Sequence, residues 1–338
     1  MYADSNSVQC ETLSKKDPIE VNVPSTFDAL LGPSKSRYFG DGHRKVFHRI
    51  KKMSTSGDIC ATSISGQAQA DYPLTWSVAP NGSPRVPHVS SVDGVAISAL
   101  SLDELSRTTP GAEWLGQATI DRVTLTTRPA PATTTTTTRR ILIDADALNL
   151  ASPKIGTTVD LTIQVGSLRV TLTVRAGEPV AVDRPVERLS PYEHGFRLTR
   201  NQSEIVEYDR AGQTIRAHHR YSFGHSRATG IDSAAWPLLT HVDNLVLCGQ
   251  LAQILVFATA EVDRGSIENL WMRSAILQRR EPTSSQHDFM TTAHITQSAQ
   301  IQRGSRTFNS FSLTAISEHG LVASARFGFI NGPDAQGK

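Results

Sequence analysis

One short pattern occurs twice in this chain, each time ahead of a long apolar segment. Pro87-His88-Val89-Ser90-Ser91-Val92 and Thr240-His241-Val242-Asp243-Asn244-Leu245 both read His-Val-polar-polar-aliphatic, with the histidines 153 residues apart (88 against 241). A chain that repeats itself at long period must build two copies of one unit or stack them. The flanking segments keep the order. Residues 43–52 and 59–65 alternate around Gly57, and residues 203–209 and 214–223 alternate around Gly212, as hairpins do. After the apolar segments, residues 114–127, 133–145, 159–165 and 168–176 stand opposite 268–280, 288–300, 306–317 and 321–330. All are rich in Thr, Val and Ile with polar alternation, which suits half-buried strands.

Each half therefore reads strand, strand, central helix, then about four strands. That order predicts an α+β fold, a double hot-dog, in which each of two tandem units curls an antiparallel sheet around one helix. Residues 1–25 lack periodicity and read as a flexible N-terminal tail, 26–177 as the first unit and 192–332 as the second. The Pro-rich, charged stretch 178–191 reads as the linker. Thr133–Thr138 follows a Pro-rich stretch but runs into an alternating segment, so it is assigned to a strand.

Composition narrows the function. Thirty-four basic residues against 32 acidic give no reason to expect nucleic acid as partner. Cys10, Cys60 and Cys248 form no spacing pattern, and neither HExxH nor CxxC is present, so neither a disulfide framework nor a metal site is expected. GxxxxGK[ST] is absent and no cofactor is implied. The N-terminus has no apolar signal segment. Residues 245–260 are interrupted by Gln250 and Gln253 and read as a buried helix rather than a membrane span. A cytoplasmic setting follows.

The polar residues in and near the second helix are the first site candidates. Asp243 and Gln250 are two turns apart on one face, and His241 and Asn244 adjoin them. Asp243 also suits the first helical turn, Gln250 a bond to sheet backbone, His241 a cap, and Cys248 a small core residue. With the two histidines aligned, Ser90 takes the place of Asp243 and Ile97 that of Gln250. The polar site is then asymmetric and centred on the second helix (Val92–Leu105 being the first), with His88 contributing from across the interface. A polar-aromatic cluster, Arg37-Tyr38-Phe39-Gly40-Asp41-Gly42-His43-Arg44, reads as a structured loop or as substrate contacts through Arg37 and Tyr38. In His218-His219-Arg220-Tyr221, with His225 and Arg227 nearby, His219 and Tyr221 share one strand face.

Two stretches carry a family resemblance: Leu31-Gly32-Pro33-Ser34-Lys35-Ser36-Arg37-Tyr38-Phe39-Gly40 and Asp243-Asn244-Leu245-Val246-Leu247-Cys248-Gly249-Gln250-Leu251-Ala252-Gln253. The chain resembles the bacterial avirulence D (AvrD) family over nearly its whole length after about residue 25. The resemblance implies an enzyme of secondary metabolism, an acyltransferase or condensing enzyme. It would join a β-ketoacyl thioester to a pentulose such as xylulose, giving syringolide-like acylated sugars, and it looks like the A-factor (butenolide) synthases of the AfsA type. No catalytic residue is carried over. On general chemistry, His241 or His88 is the candidate base, Asp243 orients it or the sugar, and Gln250, Asn244, Arg37, Tyr38, His219 and Tyr221 contact substrate. Small molecules are then the partners, with an acyl carrier protein or coenzyme A as the carrier, and no nucleic acid or membrane. The chain is read as a monomer or homodimer. Two rivals stay open. A hot-dog dehydratase or hydratase predicts a His and an Asp or Gln meeting across the halves, which His88 with Asp243 would permit, and a non-catalytic binder predicts an apolar groove without a base.

Overall fold

The computed structural model describes residues 25–79, 81–127, 138–177, 189–224, 227–262, 270–281, 286–303 and 306–331. The first half holds β1 (Ser25–Thr26), α1 (Phe27–Leu31), α2 (His43–Lys45), β2 (Phe47–Ser56), β3 (Thr62–Asp71), α3 (Ser91–Thr108), β4 (Thr119–Thr127), β5 (Thr138–Leu148), β6 (Thr158–Val165) and β7 (Leu168–Arg175). The second holds α4 (Phe196–Leu198), β8 (Arg200–Asp209), β9 (Thr214–Ser222), α5 (His241–Thr259), β10 (Trp271–Arg279), β11 (Asp288–Arg303), β12 (Arg306–Ser317) and β13 (Leu321–Asn331). The tail at 1–24 and most of the linker, 178–188, lie outside the described residues, as does Thr133–Thr137. Thr138 opens β5.

All named strands join one sheet in the order β1-β8-β9-β11-β12-β13-β10-β4-β7-β6-β5-β3-β2. Read outward from its middle, the order is the same in both halves: β4-β7-β6-β5-β3-β2 on one side and β10-β13-β12-β11-β9-β8 on the other. The joint is the antiparallel pairing of β4 with β10, from Ser274 opposite Thr126 to Gln278 opposite Arg122. Each half is thus an antiparallel sheet with one long helix packed on it. α3 contacts β2, β4, β6 and β7, α5 contacts β9 to β12, and the two helices touch.

The alternation read in the sequence is visible as burial. On β5 the residues Ile141, Ile143 and Ala145 face the core while Arg140, Leu142 and Asp144 face out. α5 is apolar on nearly every face because it is covered nearly all round. It is long and apolar enough to cross a membrane by composition, but its most apolar window is 78% buried inside the protein, as in a core helix.

The segments that lead into each half cross to the other half's helix. β1 pairs with β8, and α1 and the turn at Tyr38–Gly42 pack on α5. The equivalent turn at Pro191–Gly195 packs on α3. There the α3 residue Asp103 accepts from Ile231 N (2.6 Å) and Ser190 Oγ (2.7 Å), tying the second half's loops to the first half's helix.

Gly249, in mid-helix, is explained by this crossing. A Cβ placed there would lie 2.6 Å from the Phe39 ring, so the ring packs directly on the helix backbone. Gly249→Ala should cost about 1–3 kcal/mol by overpacking, despite alanine's better helix propensity. Urea unfolding reads this as a lower midpoint. A raised midpoint would show that Phe39 moves aside freely.

Candidate functional site

Each long helix opens with a capping box. The Ser90 hydroxyl accepts from Asp93 N (3.2 Å) while Ser90 N donates to Asp93 Oδ2 (2.6 Å). Thr240 and Asp243 make the same pair at 3.2 and 3.0 Å. These bonds set where a helix starts, and they align Ser90 with Thr240 and Asp93 with Asp243. The register taken from the two histidines is corrected accordingly: Asp93, not Ser90, is the counterpart of Asp243, and Leu100, not Ile97, that of Gln250. His88 lies in the loop two residues before its cap, whereas His241 is the first residue of its helix.

Asp93 is fully buried. Its Oδ1 meets His48 Nε2 at 2.7 Å and its Oδ2 accepts from the Tyr72 hydroxyl at 2.6 Å. Burial pushes the carboxyl up, but His48, Tyr72 and the Ser90 N–H outweigh it and hold it below the usual range. Tyr38 reaches the same cap, its hydroxyl 2.6 Å from Ser90 Oγ. Burial and the nearby Asp93 hold Tyr38 well above a free phenol, so it keeps its proton.

A cavity of about 580 Å³ opens beside this cap. Both halves line it: Tyr38, His88, Ser90 and Ser91 from the first, Trp271, Met272, Phe308 and Asn309 from the second. His88 stands between two indoles, its ring centroid 6.0 Å from Trp76 and 6.0 Å from Trp271. Burial lowers its pKa, only partly offset by Asp93, so the imidazole is neutral at pH 7. Among the described lining residues Arg37, Arg85 and Arg273 are cationic and none is acidic, which favours an anionic ligand. The first turn of α3 adds backbone N–H groups and the positive end of a helix dipole.

The other helix start is closed. β4 and β10 each carry a bulge, between Ile120 and Arg122 and between Met272 and Ser274, and aligning them sets Thr127 against Arg279. Thr127 Oγ1 donates to Met272 O (2.9 Å), and Arg279 Nη1 donates to Ile120 O (3.0 Å). Where Thr127 and Ser91 leave room at α3, Arg279 and His241 fill it at α5. Arg279 is ion-paired with fully buried Asp232 (3.1 Å), which also accepts from the Tyr192 hydroxyl (2.7 Å). His241 is 0% exposed, with Nε2 2.9 Å from Ile120 O.

The sequence-derived candidates therefore separate. His88, Arg37 and Tyr38 line the cavity; His241, Asp243, Asn244, His219, Tyr221 and Gln250 do not. Asp243 is buried beneath its cap, so His88 and Asp243 do not meet in the cavity. Asn244 Oδ1 is 2.9 Å from His319 Nε2, His219 Nδ1 is 2.8 Å from Ser203 Oγ, and Tyr221 stacks on Phe289. Gln250 Oε1 accepts from Arg37 Nη1 (3.1 Å), and Asp28 holds the same guanidinium (2.6 Å), so Gln250 bears on the cavity only through Arg37. Burial lifts the Cys248 thiol to about 12, which leaves it protonated and unreactive at neutral pH. The expectation of an open polar site centred on the second helix is corrected: the cavity lies at the first, because bulky charged groups occupy the equivalent space at the second. Asp93, Trp76, Trp271 and Asn309 were missed. The Ser-x-x-Asp and Thr-x-x-Asp capping boxes are a local signal that identifies Asp93. No local signal brings Trp271 or Asn309 to His88.

The family described as Pseudomonas avirulence D protein (AvrD) matches residues 22–320. The chain belongs to the AvrD family. No curated protein matches it. Among solved structures it is similar to a conserved protein of unknown function with hot dog fold from Alicyclobacillus acidocaldarius. That match has 14% identity and a TM-score of 0.39, covering 83% of this chain and 96% of that one. A tesB protein of Mycobacterium avium subs paratuberculosis matches at 13% and 0.40, covering 82% and 95%. The dehydratase domain from the CurJ module of curacin polyketide synthase matches at 11% and 0.36, covering 84% and 96%. At such identities and TM-scores these likenesses assign no activity to this AvrD protein.

The buried groups set opposing pH dependences. Burial holds His241 at about 4 and His219 and His319 at about 3, below an unfolded value of roughly 6.5. Their contribution is full above that value and is lost as pH falls towards 4 and 3. Burial holds Asp103 at about 7 and Asp243 at about 6, above an unfolded value of roughly 3.9. Their contribution is full below that and is lost as pH rises through 6 and 7. Asp103→Asn removes one of the latter, so thermal unfolding from pH 5 to 8 should show the variant gaining on the wild type as pH rises. A constant gap across that range would mean that Asp103 does not retain a proton in the fold.

Proposed function

We propose that this AvrD protein is a double hot-dog enzyme that transfers the acyl group of a β-ketoacyl thioester to a hydroxyl of a sugar, a pentulose such as xylulose. In this reading residues 26–177 and 192–332 are the two units, and one of the two pseudo-equivalent positions is the active site. The cavity at the start of α3, with neutral His88 inside it, carries the reading.

The chemistry follows from the placement. The thioester carbonyl sits at the first turn of α3, where backbone N–H groups and the Tyr38 hydroxyl face developing negative charge. His88 takes the proton of the sugar hydroxyl as its oxygen bonds to the carbonyl carbon. Collapse of the tetrahedral intermediate breaks the C–S bond, and the leaving thiolate takes the proton back from His88. Arg85 and Arg273 favour the phosphate that acyl carrier protein and coenzyme A both carry. Phe308, Phe327 and Phe329 give the acyl chain an apolar wall. The dehydratase reading loses the His88–Asp243 pair, because Asp243 does not reach the cavity, and would have to use Gln253 of α5, which lines the cavity with His88; the presence of His88 speaks against a binder without a base.

Mass spectrometry of the purified protein with β-ketoacyl thioester and xylulose tests this. The wild type should give an acyl-sugar adduct. His88→Ala, with its fold checked by circular dichroism, should slow formation by roughly a hundredfold or more. An undiminished adduct in that variant would remove His88 as base, and no adduct from the wild type would defeat the condensation itself. Because a neutral base is needed, the rate should be flat above about pH 6.5 and fall on acidification, with a midpoint below the ordinary histidine value. A rate that rises only above pH 8 would point to another group.

A further inference from the structure

Four of the strands that line the cavity, β7, β10, β12 and β13, hold no aspartate or glutamate. Their outward faces carry arginines. Cross-strand register sets Arg169 of β7 opposite Thr126 of β4, Thr126 opposite Ser274 of β10, and Ser274 opposite Arg326 of β13. Arg169, Thr126 and Arg326 are exposed, while their chain neighbours Val170, Leu125 and Ala325 are buried, so the row lies on the outer face of the sheet. Neither arginine is ion-paired to a described residue. The adjacent row on that face, Thr171, Thr124, Ile276 and Ser324, is uncharged. Arg169 and Arg326 stand three strand spacings apart, about 14 Å, with only the short side chains of Thr126 and Ser274 between them. The result is a shallow trough with a cation on each side, wide enough for a helix of about 10–12 Å.

The cavity opens at one end of this trough. Its lining includes Ser310 and Gly328, paired one row beyond Ser312 and Arg326 on the same face, and Ile330, which is 42% exposed. It also includes Ser167 and Leu168, which precede Arg169, and the exposed Arg273. We propose that this face is the docking surface of an acyl carrier protein. The partner is an acidic domain whose phosphopantetheine arm delivers the acyl group into the cavity, while Arg169 and Arg326 meet carboxylates of the domain itself. The inference rests on the acyl-thioester reading of the cavity and deepens it by choosing the carrier. Arg85 and Arg273 lie in the lining and meet the phosphate that either carrier brings, so they do not separate the two. Arg169 and Arg326 lie outside the lining and on both sides of the trough. Charge spread in this way suits a protein surface better than the single nucleotide of coenzyme A. Ile330 adds the apolar contact that such an interface has among its charges.

Turnover of β-oxodecanoyl thioesters with xylulose tests it, the acyl group being carried on a bacterial fatty-acid acyl carrier protein, on coenzyme A or on pantetheine. The Arg169→Glu/Arg326→Glu variant should lose roughly tenfold or more in kcat/KM with the carrier-protein substrate, through KM. It should stay near the wild type with pantetheine, which shows the fold and the cavity intact. Arg169→Gln/Arg326→Gln carries the same comparison if the charge-reversed pair disturbs folding. An unchanged KM for the carrier-protein substrate overturns the proposal. An equal loss with coenzyme A also overturns it and assigns the arginines to the ligand's phosphates. Binding is read separately, by fluorescence anisotropy of labelled carrier protein without an acyl group. The wild type should bind less tightly as salt rises, and the variant roughly tenfold more weakly at low salt. If no thioester is turned over but this binding is present and lost in the variant, the acyl-transfer reading fails and the docking surface stands. Turnover of the pantetheine thioester with no carrier-protein binding overturns the docking surface and leaves acyl transfer standing.

Discussion

The antiparallel pairing of β4 with β10 is the joint on which the molecule depends. It runs from Ser274 opposite Thr126 to Gln278 opposite Arg122 and turns two six-stranded halves into one continuous sheet. It also brings the start of each strand beside the end of the other, so Met272 lies by Thr127 and Ile120 by Arg279. Those two places are related by the same pseudo-symmetry that relates the helices. Each is a potential site between the halves, at the start of one helix. The leading segments cross from one half to the other's helix and close the space above both.

The two places differ in side-chain volume and charge. At α3 the chain puts Ser91 and Thr127, and a cavity remains. At α5 it puts His241 and Arg279 and adds the Asp232 carboxylate and the Tyr192 ring. A fully buried carboxylate and a guanidinium are stable there only because they meet each other and further hydrogen bonds, including Ile120 N to Asp232 Oδ1 at 2.8 Å. The polar residues of the second helix thus serve largely to plug and fasten. The same vocabulary of His, Asp and Tyr occurs at both helix starts, and only the space around it decides which one can admit a ligand.

Electrostatics separates them further. In the open site, Asp93 is held charged by His48 and Tyr72 and spends its oxygens on the cap, while His88 stays neutral between two indoles. Among its described lining residues the cavity keeps a base, a protonated phenol and three arginines, one of them paired with Asp28, and no carboxylate. In the closed site Asp243 retains a proton up to about pH 6 because burial outweighs its bonds to Thr240.

The sequence by itself determined the order of elements, because period-two and all-round apolar patterns are local properties. The repeated strand-strand-helix-strand order, the two long helices and the outward-facing residues of β5 are all legible there. So are the capping boxes that fix where both helices begin, although His88 and His241 are similar enough in context to suggest another register. Its candidates Arg37, Tyr38 and His88 reach the cavity, while the helix most conspicuous for its polar residues is closed at its start and meets the cavity only farther along, through Gln253 and Phe257. What only the tertiary structure decided was which helix start is open and what faces it. That outcome hangs on residues 152 positions apart (127 and 279) at the ends of two paired strands, and on Trp271 and Asn309 arriving from the other half. Steric filling is a property of side chains that meet only after the sheet closes, so no local pattern encodes it.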